Sequence, residues 1–373
     1  MDPGGAPGRP PASRPGARGL GGSQLLHQVM KRGRPPPPPG YGAVGHTSAG
    51  LPPLGEAGAG AAPPAPAAGG GEFRGVLGWD RFFDAARDVR IDGRGTFRVY
   101  LAGDAGPVVF LLHGGGYTGL TWALVARELK GRCRLAALDM RGHGETSTED
   151  DADLSAARLA EDAVAVWAHL FAAEGPPTFL VGHSVGGAVA TWAAKTQRIP
   201  SLAGLAVIDV VEGTALASLV HMQQVLAKRP PLFKSVEAAV RWALKTKVTK
   251  NAEAAAVSLP SQLAATEKGH FRWRTPLEET EPFWRGWYTG LSAAFLSAPA
   301  AKLLLLAGTD RLDKELMIGQ MQGRFQMQIL PAGHTIQEDE APRVSAALLG
   351  FVQRFGKPVP VFAKAAPAAA GTA

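Results

Sequence analysis

The chain has 373 residues, 46% of them hydrophobic, and a formal net charge of +7. That supplies one large core with room for an insertion, and no run of about 18 apolar residues offers a membrane-spanning helix. Residues 1–70 hold six Lys or Arg against two Asp or Glu, so most of the excess charge lies there, and with the remainder near balance the charge total is weak evidence for nucleic-acid binding.

The same 70 residues contain 15 Pro and 17 Gly. Such a segment buries too little apolar surface to offset its ordering entropy, so a disordered arm is expected over 1–70. Within it, Lys31-Arg32-Gly33-Arg34 and five following prolines read as solvated linker, with a polyproline ligand or nuclear signal as the alternatives. Arg9, Arg14 and Arg18 faintly resemble a transit peptide, but the prolines disfavour its amphipathic helix. Cys133 is the only cysteine, which excludes an intramolecular disulfide and fits a reducing compartment, cytoplasm or nucleus.

The folded region is expected over 71–356, starting near Trp79, with a second disordered tail over 357–373. Thr96–Ala102, Pro107–His113, Arg134–Asp139, Thr178–Gly182, Leu202–Val210, Lys302–Gly308 and Gln326–Leu330 are short apolar runs of strand length. Leu154–Ala173 and Gly186–Gln197 carry helical patterns, the first with Leu159, Ala163, Val166 and Leu170 near one face. Alternating apolar strands and helices predict an α/β fold with a mainly parallel sheet covered on both faces. Residues 214–300 break the rhythm with Trp-containing helical segments and read as an inserted helical cap over the strand ends.

Gly182-His183-Ser184-Val185-Gly186 matches G-x-S-x-G between an apolar run and a helical pattern. That strand–turn–helix context is what a nucleophile elbow of an α/β-hydrolase fold requires, and it makes Ser184 the candidate nucleophile. His113-Gly114-Gly115-Gly116 ends an earlier strand and suits an oxyanion turn, with Gly115 and Val185 as the N–H donors. A serine hydroxyl needs a base. His334 follows the last strand, in the order this fold demands, whereas His113, His143 and His183 lie at or before the nucleophile. For the acid, common topology favours Asp310 or Asp313 after the penultimate strand, and Asp209 ends the strand after the nucleophile. Helix caps or loop salt bridges are the bland alternative for all three. Neither H-e-x-x-H spacing nor a cysteine cluster is present, and Ser-His-Asp chemistry needs no cofactor and no metal.

Ile208-Asp209-Val210-Val211-Glu212-Gly213-Thr214-Ala215 resembles the protein phosphatase methylesterases, demethylases of the type 2A protein phosphatase catalytic subunit. So do Thr96–Tyr100, Gly142–Thr146, Gly286-Trp287 and Gly290–Ser292. The most diagnostic stretch is Leu303–Gln328, LLLLAGTDRLDKELMIGQMQGRFQMQ, which no general hydrolase pattern demands. The resemblance spans about Trp79 to Phe355. It implies a serine esterase acting on the methyl ester of the phosphatase's C-terminal leucine, with Ser184, Asp209 and His334 as triad. Arg311 and Gln322 are then expected near the phosphatase. The arm, the short stretch around Ala264–His270 and the Thr335-Ile336-Gln337 continuation depart from the family pattern. A small-molecule carboxylesterase and a phosphatase-binding scaffold are the other readings. No nucleic-acid or membrane partner is expected.

Overall fold

The computed structural model describes residues 73–308 and 312–356. Its strands are β1 (Ala85–Ile91), β2 (Gly95–Ala102), β3 (Val108–Leu112), β4 (Arg134–Leu138), β5 (Ser147–Thr148) and β6 (Thr178–His183), then β7 (Leu202–Ile208), β8 (Leu263–Ala265), β9 (Phe271–Trp273), β10 (Ala301–Leu306) and β11 (Gln326–Ile329). The α-helices are α1 (Ala123–Leu129), α2 (Ala156–Phe171), α3 (Val185–Lys195), α4 (Glu212–Leu226), α5 (Val236–Thr246) and α6 (Ala252–Ser261). α7 (Glu281–Tyr288), α8 (Leu291–Ser297), α9 (Lys314–Met321), α10 (Ile336–Asp339) and α11 (Ala341–Phe355) follow.

The main sheet has the order β1-β2-β4-β3-β6-β7-β10-β11, with β5 paired onto β2. β1 and β2 pair antiparallel, as do β2 and β4, and from β4 to β11 the strands are parallel. The interior strands are buried on both faces, which explains their unbroken apolar runs: all five residues of β3 and all six of β6 are buried. Alternation sorts their side chains into two cores. Val108, Phe110 and Leu112 face the layer of α2 and α3, and Val109 and Leu111 face the layer of α1 and α11.

β1 has no counterpart in the sequence reading. Only Val89 of its seven residues is buried, so an antiparallel edge strand here carries no apolar run. On α2, Leu159, Ala163 and Val166 are buried with Leu170 packed against them, as the spacing predicts.

Between β7 and β10 the chain leaves the sheet for α4 to α8 and the β8–β9 hairpin. These elements build a small third core around Phe233, Val240, Leu259 and Leu263. The short stretch around Ala264–His270 lies in that hairpin, which pairs Leu263 with Trp273 across a turn where Gly269 takes φ 74°. Its three-residue strands are too short to leave a period in the sequence. The 1–70 arm, the Lys31–Arg34 run and the 357–373 tail fall outside the described residues.

Candidate active site

Ser184 stands where β6 turns into α3. It is the residue that caps the helix, at φ 54° and ψ −122°, a conformation that costs a non-glycine residue about 1–3 kcal/mol. The surroundings hold it: its N–H donates to the Ile208 carbonyl at 2.9 Å, and its carbonyl accepts from the Gly187 N–H at 2.9 Å. Gly182 and Gly186 are glycines for want of space. A Cβ at 182 would strike the Gly186 carbonyl, and one at 186 the His113 carbonyl on β3's end. The tight turn thus leaves Oγ facing the cavity beyond the strand ends.

His334 arrives on the loop after β11, with Nε2 3.1 Å from Ser184 Oγ and Nδ1 2.8 Å from Asp209 Oδ2. A carboxylate only accepts, so Nδ1 carries the proton and Nε2 presents its lone pair to the serine hydroxyl. Asp209 ends β7 at φ 56° and is fully buried. Its Oδ1 accepts from the Ala307 N–H, just past β10, at 3.0 Å. The C-terminal ends of three parallel strands, β6, β7 and β11, therefore lead the three side chains to one point. Asp313 does something else: it caps α9, accepting from Leu316 N–H at 3.0 Å and Ser292 Oγ–H at 2.6 Å. Asp310 and Arg311 lie outside the described residues. Gln322 is exposed at the C-terminal end of α9 and does not line the cavity.

Gly115 and Val185 line the cavity beside Ser184. Behind them sit three buried imidazoles, and their partners fix their tautomers. The Gly116 N–H donates to His143 Nε2 at 3.0 Å, so His143 Nδ1–H donates to the Arg141 carbonyl at 2.8 Å. The Met140 N–H donates to His113 Nε2 in the same way. His183 Nε2–H donates to the His334 carbonyl at 2.8 Å and so steadies the loop that carries His334. Burial pulls His143 down to about 4 and His183 to about 3, so both are neutral near pH 7. A buried chain continues behind His183. Gln337 Nε2–H points to His183 Nδ1 and to Thr121 Oγ1, and the Thr121 hydroxyl donates to Glu338 Oε1 at 2.7 Å. The sequence offered His183 only as a residue of the elbow and Gln337 only as part of a departure from the family pattern; Glu338 was not singled out, and Thr121, which both reach, lies more than 200 residues away.

The site opens into a cavity of about 150 Å³, walled by Leu219, Met222 and Leu226 of α4 and by Trp284, Trp287 and Tyr288 of α7. The Tyr288 phenol is buried against Ser184, and burial pushes its pKa up. Arg229 lines the same cavity. Neither Tyr288 nor Arg229 was singled out by sequence. Tyr288 directly follows the Gly286-Trp287 pair of the family pattern, which was the available signal.

An alpha/beta hydrolase family model matches residues 108–348. The chain is 42% identical to protein phosphatase methylesterase 1 of Bos taurus, over 75% of this chain and 87% of the relative. It is also 42% identical to the Schizosaccharomyces pombe protein of that name, over 74% and 84%. Among solved structures, E-2-(acetamidomethylene)succinate hydrolase superposes with a TM-score of 0.61 at 21% identity, covering 72% of this chain and 99% of that one, a likeness of fold. The chain is a hydrolase of the carboxylesterase kind, and it belongs to the alpha/beta hydrolases and, among them, to the protein phosphatase methylesterases.

Proposed function

We propose that this chain hydrolyses the methyl ester on the C-terminal leucine of the type 2A protein phosphatase catalytic subunit, with Ser184 as nucleophile, His334 as base and Asp209 as acid. The carrying observation is the unbroken line of hydrogen bonds from Asp209 through His334 to Ser184 beside the cavity. Ser184 Oγ attacks the ester carbonyl while His334 Nε2 takes its proton. Asp209 stabilises the imidazolium through Nδ1–H. The Gly115 and Val185 N–H groups receive the oxyanion, each donor contributing roughly 3 kcal/mol in such sites. The tetrahedral intermediate collapses, and His334 returns the proton to the departing methoxide, which leaves as methanol. Water, deprotonated by His334, then attacks the acyl-enzyme and frees the leucine carboxylate.

The cavity supports this substrate. Its mostly apolar wall suits an apolar side chain such as that of a terminal leucine. The relatives' name, protein phosphatase methylesterase 1, supports a methylated protein phosphatase as the substrate. Arg311 and Gln322, which this reading keeps apart from the chemistry, contact the phosphatase. The hydrolase domain runs from 71 to 356 with its cap over 214–300. Cys133 is free and buried, in keeping with the cytoplasm or nucleus. Among the described residues no helix is long and apolar enough to cross a membrane.

The test uses the phosphatase catalytic subunit bearing a tritiated methyl ester at its C-terminal leucine. The wild-type chain is expected to release the label as methanol and Ser184→Ala to leave it in place. Wild-type protein that cleaves a p-nitrophenyl ester yet leaves the label on the phosphatase would overturn the substrate assignment.

A further inference from the structure

The cavity wall is mainly apolar and aromatic, with Ser184, Gln262, Thr280 and His334 among its polar members. Among the described residues Arg229, just past α4, is the only lining side chain with a fixed charge. Its guanidinium lies 3.8 Å from the centre of the Trp273 ring. That ring is itself held: Trp273 Nε1–H donates to the Pro230 carbonyl at 2.9 Å, and Phe233 and Trp242 pack against it with ring centres at 5.4 and 5.8 Å. The guanidinium is therefore preorganised on a rigid aromatic platform, in an arrangement that satisfies its face and leaves its edge. Five N–H donors need acceptors. Among the described residues no side-chain or backbone oxygen accepts from them, and no carboxylate lies within 4 Å. Glu278 and Tyr117 act on the guanidinium only through their fields. Burial lowers its pKa to about 10, so it stays charged at pH 7.

The N–H edge of Arg229 is open to the cavity, and a ligand that supplies an anion there gains charge-assisted hydrogen bonds. A methyl ester is neutral and cannot do so, so the partner must be another part of the substrate. We propose that Arg229 forms an anion subsite that binds a side-chain carboxylate of the substrate peptide, a few residues before the esterified terminus. This rests on the methylesterase reading for the identity of the ester, and it deepens that reading into a selectivity rule. The site takes an apolar terminal residue next to Ser184 and an acidic residue on the Arg229–Trp273 wall.

The experiment compares kcat/KM on paired peptides ending in leucine methyl ester. The pairs differ only in Asp against Asn, or Glu against Gln, placed one to four residues before the leucine. At one spacing the wild-type chain is expected to favour the acidic peptide by roughly ten- to a hundredfold, the range that a charge-assisted hydrogen bond supplies. In Arg229→Gln the ratio falls to near one, and in Arg229→Lys, which keeps the charge without the fork, it stays in between. A ratio near one at every spacing in the wild type, or one unchanged in Arg229→Gln, overturns the proposal. The second arm stands apart from the methylesterase reading. It compares p-nitrophenyl glutarate, with a free carboxylate, against p-nitrophenyl pentanoate. If no peptide ester is cleaved but both p-nitrophenyl esters are, the methylesterase reading fails. The subsite is then judged on the glutarate-to-pentanoate ratio, which must exceed one and drop in Arg229→Gln, and a ratio that does neither overturns it.

Discussion

Asp209 and His334 make one functional group out of two side chains. The carboxylate holds the imidazole in the tautomer whose Nε2 can take a proton from Ser184. Replacing Asp209 with Asn offers Nδ1 an amide that can donate, which favours the wrong tautomer. In a well-studied triad that change lowers turnover by about ten-thousandfold. For Asp209→Asn on a small activated ester, a loss on the order of a thousandfold or more is expected, with folding verified by circular dichroism. Asp310→Asn is expected to lose far less on the same substrate. The opposite ranking in kcat would reassign the acid. A small ester is the right probe because it separates damage to the triad from damage to docking. Residue chemistry of this kind was legible where a local pattern enforces it. The Ser184 turn announces itself through Gly182 and Gly186, since no other residue fits there. Asp209 was not legible from pattern alone, because strand order in space, not spacing along the chain, puts it beside His334. Only the octet around it distinguished it from Asp313, which proves to be a helix cap.

At the scale of elements, the loop between β11 and α10 must hold His334 in place. His183 grips its carbonyl, and the buried chain through Gln337, Thr121 and Glu338 lies behind it. Glu338 is 1% exposed, and burial raises its carboxyl to about 7. Because the folded-state value lies above the unfolded one, the native state binds this proton more tightly. The contribution to stability is therefore largest below pH 4.5 and is lost as pH rises through about 7. Glu338→Gln stays neutral throughout. Its stability relative to wild type should rise by about 2 kcal/mol between pH 5.5 and pH 8, read from urea unfolding at both values. A constant difference across that range would mean that Glu338 does not titrate there. On α9, Gln322 is exposed and remote from the cavity wall. Gln322→Ala is expected to slow demethylation of the whole phosphatase while leaving hydrolysis of a small activated ester within about twofold, a change typical of a surface substitution that spares the core. Equal losses on both substrates would assign it a structural role. The interior strands and amphipathic helices were readable because burial writes their periods into the sequence. β1, β8 and β9 were not, since they are short or bury one face only.

For the whole molecule, the three hydrophobic cores are built from residues 73–355, with the sheet carrying the triad and the insertion closing the cavity over it. Residues 1–70 are rich in Pro and Gly, so their removal is expected to shift Tm by less than about 2 °C, which for a domain of this size corresponds to less than about 1 kcal/mol. A clear fall in Tm would assign the arm a share of the core. The division of labour has a direct chemical consequence. If the sheet presents an activated hydroxyl at Ser184, and the cap admits the esterified tail to it, a fluorophosphonate should react at that one residue. Peptide mass spectrometry after labelling is expected to find the adduct on the peptide containing Ser184. Turnover should be lost in proportion to labelling, and an excess of the methylated phosphatase tail should slow both. Full inactivation with the adduct on another residue, or labelled Ser184 in a chain that still demethylates the phosphatase, would contradict the account.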